Sequence, residues 1–302
     1  MSRRPSFVRR LEAGILLLLS YLLRPFPARL RVWVGRVMGS LGYAIDRHHR
    51  TLARHNVALS LGLSEEQAAP LARAAFQHFG RVTVECLTMP AYLRPGAGSL
   101  FEIEGLEHLA RAHALGKGVI VFSAHMGNWE LVAQRQALAG FPMDFIARPL
   151  DNPWLEQAFN RWRELPGNRV LGKHGALRRA VRSLKQGRCL AILIDQNVRV
   201  PPRLYIPFFG RRATTTPTLG RLALRLGSPV IPVVSIPRPE GGYRIVYHPP
   251  LEPPSQGTEE ERVRAITEGA TAIIEGWIRE NPGTWLWLHN RWKSRPEPGE
   301  ED

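Results

Sequence analysis

Six apolar runs, rich in Val, Ile, Leu and Phe, recur along the chain at 101–104, 118–123, 143–147, 189–194, 229–235 and 243–247. Most are bounded by Gly, Pro or charged residues, the pattern of short strands. Between and after them, stretches near 106–115, 128–138, 153–164, 175–186, 215–226 and 258–279 carry apolar residues at helical spacing. Strands alternating with helices of this length predict the α/β class: a mostly parallel central sheet flanked by helices.

Ahead of the strands the pattern is helical. Ser64-Glu65-Glu66-Gln67 is a capping box and opens a helix running to about Leu87. Residues 29–54 read as one or two basic amphipathic helices, and Pro95-Gly96 breaks the pattern before the strands begin. At the start of the chain, residues 13–23 form an almost unbroken apolar run preceded by Arg3, Arg4, Arg9 and Arg10. This resembles a secretory leader, but Arg24-Pro25-Phe26-Pro27 follows where a small-residue cleavage site belongs. The run falls short of the roughly 20 residues that span a bilayer. Basic residues flank both sides, so charge sets no orientation. The favoured expectation is a helix lying in or dipping into the cytoplasmic leaflet, its arginines on anionic lipid. A single-pass anchor and a helix buried in a soluble domain are the competing readings. The organisation expected is an anchoring segment over 1–30 and a main domain over 31–302, helical to about 100 and α/β over 101–295.

Charge sharpens this picture. The chain has 302 residues with 41 Lys and Arg against 26 Asp and Glu, a net +15. Residues 1–60 hold eleven Arg against Glu12 and Asp46, and residues 161–225 hold fifteen basic residues against Glu164 and Asp195. Such a field implies polyanionic partners: nucleic acid, an anionic membrane surface or an acidic carrier. No zinc finger, aromatic stacking motif or helix-turn-helix is evident, which speaks against nucleic acid. The two cysteines, Cys86 and Cys189, lie far apart in apolar segments, without metal spacing or a suggested disulfide.

The chemistry concentrates in His125-Met126-Gly127-Asn128-Trp129-Glu130. His125 follows the strand at 118–123, and Glu130 falls in the first turn of the helix that Asn128 caps. Strand carboxyl ends are where α/β proteins keep their sites. The helix dipole favours an ionised Glu130, and a carboxylate on one imidazole nitrogen leaves the other free to take a hydroxyl proton. Glu130 is therefore expected to orient His125 as a general base, while a chance His–Glu spacing is the bland alternative. Backbone N–H groups near Gly127 are expected oxyanion donors. Ser123 lacks a nucleophile-elbow pattern and reads as structural. His48-His49 is an isolated pair, so no metal or other cofactor is expected.

Three further segments end in polar groups: Phe145-Ile146-Ala147-Arg148, the 189–194 run followed by Asp195-Gln196, and Pro229–Val234 with Pro232 inside. Together with the His-x4-Glu block, their order resembles the four blocks of the glycerolipid and lysophospholipid acyltransferase superfamily. Within it, the chain resembles the bacterial lipid A biosynthesis acyltransferases of the inner membrane. The matching pieces are Gly116-Lys117-Gly118, Asn128-Trp129-Glu130, Arg148-Pro149, Asn152-Pro153, Asp195-Gln196, Pro207–Gly210, Thr214–Thr216, and Trp287-Leu288-His289 with Arg291 and Lys293. Asp195-Gln196 replaces the Glu-Gly of glycerol-phosphate acyltransferases and favours the lipid A branch. The actinobacterial mannoside acyltransferases usually carry Asp at the position of Glu130.

The resemblance implies transfer of a fatty acyl chain from a thioester, on acyl carrier protein or coenzyme A, to a hydroxyl of a phosphorylated glycolipid, at the cytoplasmic face of the inner membrane. It implies that Arg148 binds acceptor phosphate. Arg163 matches a further functional arginine, with a solvated surface arginine as the alternative. Asp195 and Gln196 are read as binding the acceptor or bracing the site, with a plain strand-end residue as the alternative for Asp195. Trp285, Trp287 and Trp292 line an acyl tunnel, seat the protein at the interface or pack the core. Another glycolipid or lysophospholipid acceptor is the alternative within the class. A non-catalytic membrane- or nucleic-acid-binding protein is the alternative outside it.

Overall fold

The structure, a computed structural model, describes residues 6–147, 149–172 and 175–294. Five helices lead the chain: α1 (Ser6–Leu23), α2 (Ala28–Ile45), α3 (Arg47–Leu61), α4 (Glu65–Leu87) and the short α5 (Met89–Tyr92). The α/β part then runs β1 (Phe101–Glu104), α6 (Leu106–Ala114), β2 (Val119–Ser123), α7 (Trp129–Leu138), β3 (Met143–Ile146) and α8 (Pro153–Glu164). It continues through β4 (Arg169–Leu171), α9 (Ala176–Lys185), β5 (Cys189–Leu193), β6 (Leu204–Phe208), β7 (Arg211–Thr215) and α10 (Thr218–Leu226). Strands β8 (Val230–Pro237) and β9 (Tyr243–Tyr247) and helix α11 (Glu259–Glu280) complete it.

Seven strands form one sheet in the order β1-β9-β8-β2-β5-β3-β4. Every pairing is parallel except β8 with β9, so the expected mostly parallel α/β sheet is present. The β-branched centre follows from burial on both faces. Val119, Val121, Cys189, Ile231 and Val233 face one cluster with α6 and α7 residues. Ile120, Phe122, Leu190 and Val230 face another with α9, α10 and α11. Two features lacked a pattern in the sequence. The edge strand β4 is only three residues long, and the β6–β7 hairpin contains Pro207 and two arginines instead of an apolar alternation. Its turn at Phe209-Gly210 has positive φ at both residues, the geometry of a two-residue type I′ hairpin.

The leading helices pack on this sheet. Ala68, Ala72, Ala75 and Phe76 of α4 share the cluster that holds Ile120 and Phe122. Helix α2 crosses α4 at backbone contact: a Cβ on Gly80 would strike the Gly35 carbonyl, and one on Gly39 the Phe76 carbonyl. Helix α1 buries Ala13 and Ser20, and Ser20 donates to the Leu87 carbonyl at 2.5 Å. Arg10 and Arg24 lie over the rings of Trp154 and Trp162 on α8, 5.2 and 4.8 Å from the centroids.

The opposite faces of these two helices are apolar and exposed. Phe7, Leu11, Ile15, Leu18 and Leu22 make one stripe, and Trp33, Val37, Leu41 and Ile45 make another. Spacings of three and four residues put each set on a single helix face. Among the described residues, no helix is long and apolar enough to cross a membrane.

Replacing Gly80 with Val should destabilise the fold by about 1–3 kcal/mol or more through backbone overpacking. Gly14→Ala, where an added Cβ meets nothing within 4 Å, should be neutral or stabilising by about 0.5–1 kcal/mol. Denaturant unfolding of the two variants checks both signs.

Candidate active site

The register of two neighbouring strands builds the centre of the site. In the β2–β5 ladder Val119 faces Cys189 and Ser123 faces Leu193. Two residues beyond each strand, at matching positions, stand His125 and Asp195. One Asp195 carboxylate oxygen accepts from His125 Nδ1 at 2.8 Å, and the other from the His125 backbone N–H at 2.8 Å. The second oxygen also accepts from Trp285 Nε1 at 2.7 Å. Burial raises the Asp195 pKa, but His125, its ring and backbone N–H bonds and the Trp285 donor outweigh it, so the carboxyl lies below its ordinary value. An ionised Asp195 fixes the proton on Nδ1 and leaves Nε2 as the basic nitrogen. The Gln196 side-chain amide lies 3.2 Å from that Nε2 and donates to it.

The sequence pointed to Glu130 as the partner of His125; the structure puts Asp195 there instead. Glu130, in the first turn of α7, is held by Arg163 from the last turn of α8, with Nε–Oε2 at 2.9 Å and NH2–Oε1 at 2.5 Å. This two-point pair occupies both carboxylate oxygens, and Asn160 accepts from the remaining guanidinium nitrogen at 3.2 Å. Burial lowers the Arg163 pKa, but the charge and hydrogen bonds of Glu130 more than offset it, and the guanidinium stays protonated. Arg163 is thus a buried, paired side chain and not a solvated one.

Gly127 also departs from expectation. Its N–H donates to the Thr284 carbonyl at 3.2 Å and is unavailable to an oxyanion. Leu286 N–H bonds back to the His125 carbonyl at 3.1 Å, and Met126 pairs with Trp285 as a β-bridge. From the other side, His78 of α4 donates through Nε2 to the Gly127 carbonyl at 2.9 Å. Gly127 has φ 58°, and a Cβ there would run into Ser235. Only glycine fits the turn.

The segment after β5 is braced by the end of the chain. Arg291, almost wholly buried, donates to the Gln196 carbonyl at 3.3 Å, the Thr215 hydroxyl at 2.6 Å and the Thr214 carbonyl. Asn197 N–H donates to His289 Nε2 at 3.0 Å. Trp285 and Trp287 are fully buried in the core, where Trp285 also donates to Asp195. Of the expected site residues, Arg148 lies outside the described residues. Trp285 as a donor to Asp195, and His78 behind Gly127, carried no sequence signal, because their partners are distant along the chain.

A cavity of about 730 Å³ opens beside His125 and is lined by Glu130, Arg163 and Gln196 as well. Its remaining walls are largely apolar and include Val121, Met143 and Phe145 on one sheet face and Leu190, Ile192 and Leu222 on the other. A base, a paired cation and an apolar chamber together suit deprotonation of a hydroxyl attached to a lipid. Among the described residues, no three His, Cys, Asp or Glu side chains group to hold a metal. Both cysteines are free, and burial pushes the Cys189 thiol up to about 12.

Comparison with known proteins places the chain among bacterial acyltransferases. The family model described as bacterial lipid A biosynthesis acyltransferase matches residues 6–294. A lipid A biosynthesis palmitoleoyltransferase of Escherichia coli is 29% identical over 280 residues, covering 90% of this chain and 87% of that protein. A lipid A biosynthesis lauroyltransferase of the same organism is 26% identical over 296 residues, covering 95% and 92%. The crystal structure of a 1-acyl-sn-glycerophosphate acyltransferase from Thermotoga maritima aligns over 74% of this chain and 97% of that one, at 19% identity and a TM-score of 0.37.

The His78 contact gives the fold a pH dependence. Burial, only partly offset by the Gly127 carbonyl, lowers its pKa to about 4. The neutral ring's contribution is complete above the unfolded-state value of about 6.5 and is lost as pH falls toward 4, a span worth roughly 3 kcal/mol. His78→Gln, which keeps an N–H donor but cannot titrate, should flatten stability between pH 6.5 and 4. Chemical denaturation across that range reads the slope.

Proposed function

Because the chain belongs to the bacterial lipid A biosynthesis acyltransferase family, we propose that it moves a fatty acyl chain from an acyl thioester to a hydroxyl of a lipid A precursor, with His125 as general base. The observation that carries this is His125 Nε2, aimed at the cavity while Asp195 holds Nδ1. The acceptor hydroxyl takes the place of the Gln196 amide, gives its proton to Nε2 and attacks the thioester carbonyl. Asp195 stabilises the resulting imidazolium. Collapse of the tetrahedral intermediate breaks the C–S bond, and the imidazolium proton passes to the departing thiolate. No acyl-enzyme is needed, since the hydroxyl is itself the nucleophile.

The Glu130–Arg163 pair lines the same cavity and supplies a polar anchor for the acceptor headgroup. Arg148, by the resemblance, provides the cation for its phosphate. The basic stretch over 161–225 suits an acidic acyl carrier protein as donor, with salt-sensitive encounter.

Purified enzyme with an acyl-carrier donor and a lipid A precursor tests this assignment. His125→Ala should fall to background, and Asp195→Asn should lower kcat by roughly 10²–10⁴-fold with little change in either KM. Arg163→Lys should raise the KM for acceptor more than that for donor. Near-normal turnover by His125→Ala would end the mechanism.

The exposed stripes on α1 and α2 support seating on the cytoplasmic leaflet of the inner membrane, with the exposed Arg29 and Arg36 of α2 flanking its stripe for anionic headgroups. Leu11→Glu with Leu18→Glu should cut co-sedimentation with anionic vesicles while leaving unfolding unchanged. Undiminished vesicle binding by the folded double variant would place the membrane contact elsewhere.

A further inference from the structure

Helix α4 makes a second, deeper set of polar contacts to the catalytic turn. Glu85 is completely buried. One of its oxygens accepts from Arg81 Nε at 2.8 Å. The other accepts from Asn128 Nδ2 at 2.9 Å and from the Tyr243 hydroxyl at 2.5 Å. Arg81 extends the network to the Gly242 carbonyl at 2.7 Å and the Arg238 carbonyl at 3.3 Å. Burial first, and the Glu85 charge second, hold the Tyr243 hydroxyl well above its ordinary pKa, so it remains a donor.

Asn128 is the junction. Its Oδ1 caps α7 by accepting from Leu131 N–H at 3.1 Å, its Nδ2 goes to Glu85, and its backbone N–H donates to Ser235 Oγ at 2.8 Å. Gly127, one residue earlier, is held by His78. His78 and Glu85 are seven residues apart, two turns, and so point from one face of α4. Neither side chain lines the cavity beside His125. A buried carboxylate costs several kcal/mol in desolvation, and apolar side chains could fill the same space at least as stably. What an apolar filling could not do is fix the rotation of the Asn128 side chain and, with it, the start of α7.

We propose that Glu85 is a positioning residue for the transfer reaction: through Asn128, with His78 on Gly127, it holds the turn after β2 so that His125 stays in register with Asp195. This rests on the reading of His125 as the base. The leading helices then serve two ends, their outer faces meeting lipid and their inner polar face setting the base.

The decisive variant is Asn128→Ser. Serine keeps an N-cap oxygen for α7 but loses the donor to Glu85, and it leaves the Arg81–Glu85–Tyr243 contacts intact. Glu85→Gln is its partner, since one amide cannot accept from Arg81 on one side and from Asn128 and Tyr243 on the other. Steady-state kinetics on the full-length enzyme should show kcat lower by roughly 10–100-fold in each, with donor and acceptor KM little changed. The double variant should be no worse than either single, because both cut one link. Hydrogen–deuterium exchange should show faster exchange confined to amides 125–131, with β2 still protected. Wild-type kcat in folded Asn128→Ser, or unaltered exchange at 125–131, would overturn the proposal. Were the wild-type enzyme to show no acyl transfer, the base assignment would fall, and the exchange measurement would still decide whether the clamp exists.

Discussion

One carboxylate held at two points of one histidine organises this protein. Asp195 binds both the backbone N–H and the ring Nδ1 of His125. That is possible only because β2 and β5 are adjacent, parallel and in the register that puts residues 125 and 195 side by side. A slip of one residue would turn each side chain to the other face of the sheet. Buried beneath the site, Asp195 would be protonated without compensation. The imidazole and the Trp285 indole give it enough donors to remain charged. The requirement spreads outward from there. Trp285 must be fixed, so the segment after α11 bridges to Met126, and Arg291 and His289 brace the loop after β5.

The same logic explains why the leading helices are built from two unlike faces. A helix that only anchored the protein would need no buried polar groups, yet α4 carries His78, Arg81 and Glu85 inside the fold. Helix α2 is locked to α4 at glycine contacts, and α1 is pinned to α4 and α8 through Ser20, Arg10 and Arg24. Among the described residues, nothing covers their outward stripes. Contiguous exposed apolar surface of this kind is uncommon on a freely soluble monomer and fits an interfacial surface.

Local signals in the sequence carried far. Strands at the sheet centre, the capping box at Ser64 and the strand–His–helix junction all follow from spacing over a few residues, and the structure has them. What the spacing could not tell was which carboxylate meets which cation. Glu130 is five positions from His125 and Asp195 is seventy, so proximity along the chain favoured the wrong one. Only the strand register makes the distant residue the neighbour. Arg163 is similar: a functional arginine and a solvated charge were both open readings on a helix with two arginines, and α8 turns it inward onto Glu130. The edge strand β4 and the β6–β7 hairpin escaped for a different reason, since their pairing depends on neighbours more than on an apolar pattern of their own.

The division of labour inside the His-x4-Glu block follows from charge balance. With both oxygens bound to Arg163, Glu130 presents a pair of no net charge to the cavity and contributes little field at the imidazole. On the proposed mechanism, the positive charge that would form on His125 is compensated by Asp195, on the Nδ1 side of the ring. That arrangement would keep the reacting face of the ring open and would keep an acceptor phosphate from competing with the carboxylate that sets the base. A phosphate beside a His–Glu pair would be repelled by an unpaired carboxylate. On the proposed mechanism, separating the acid that orients the base from the acid that faces the acceptor would let one cavity take an anionic lipid while Asp195 keeps its hold on Nδ1.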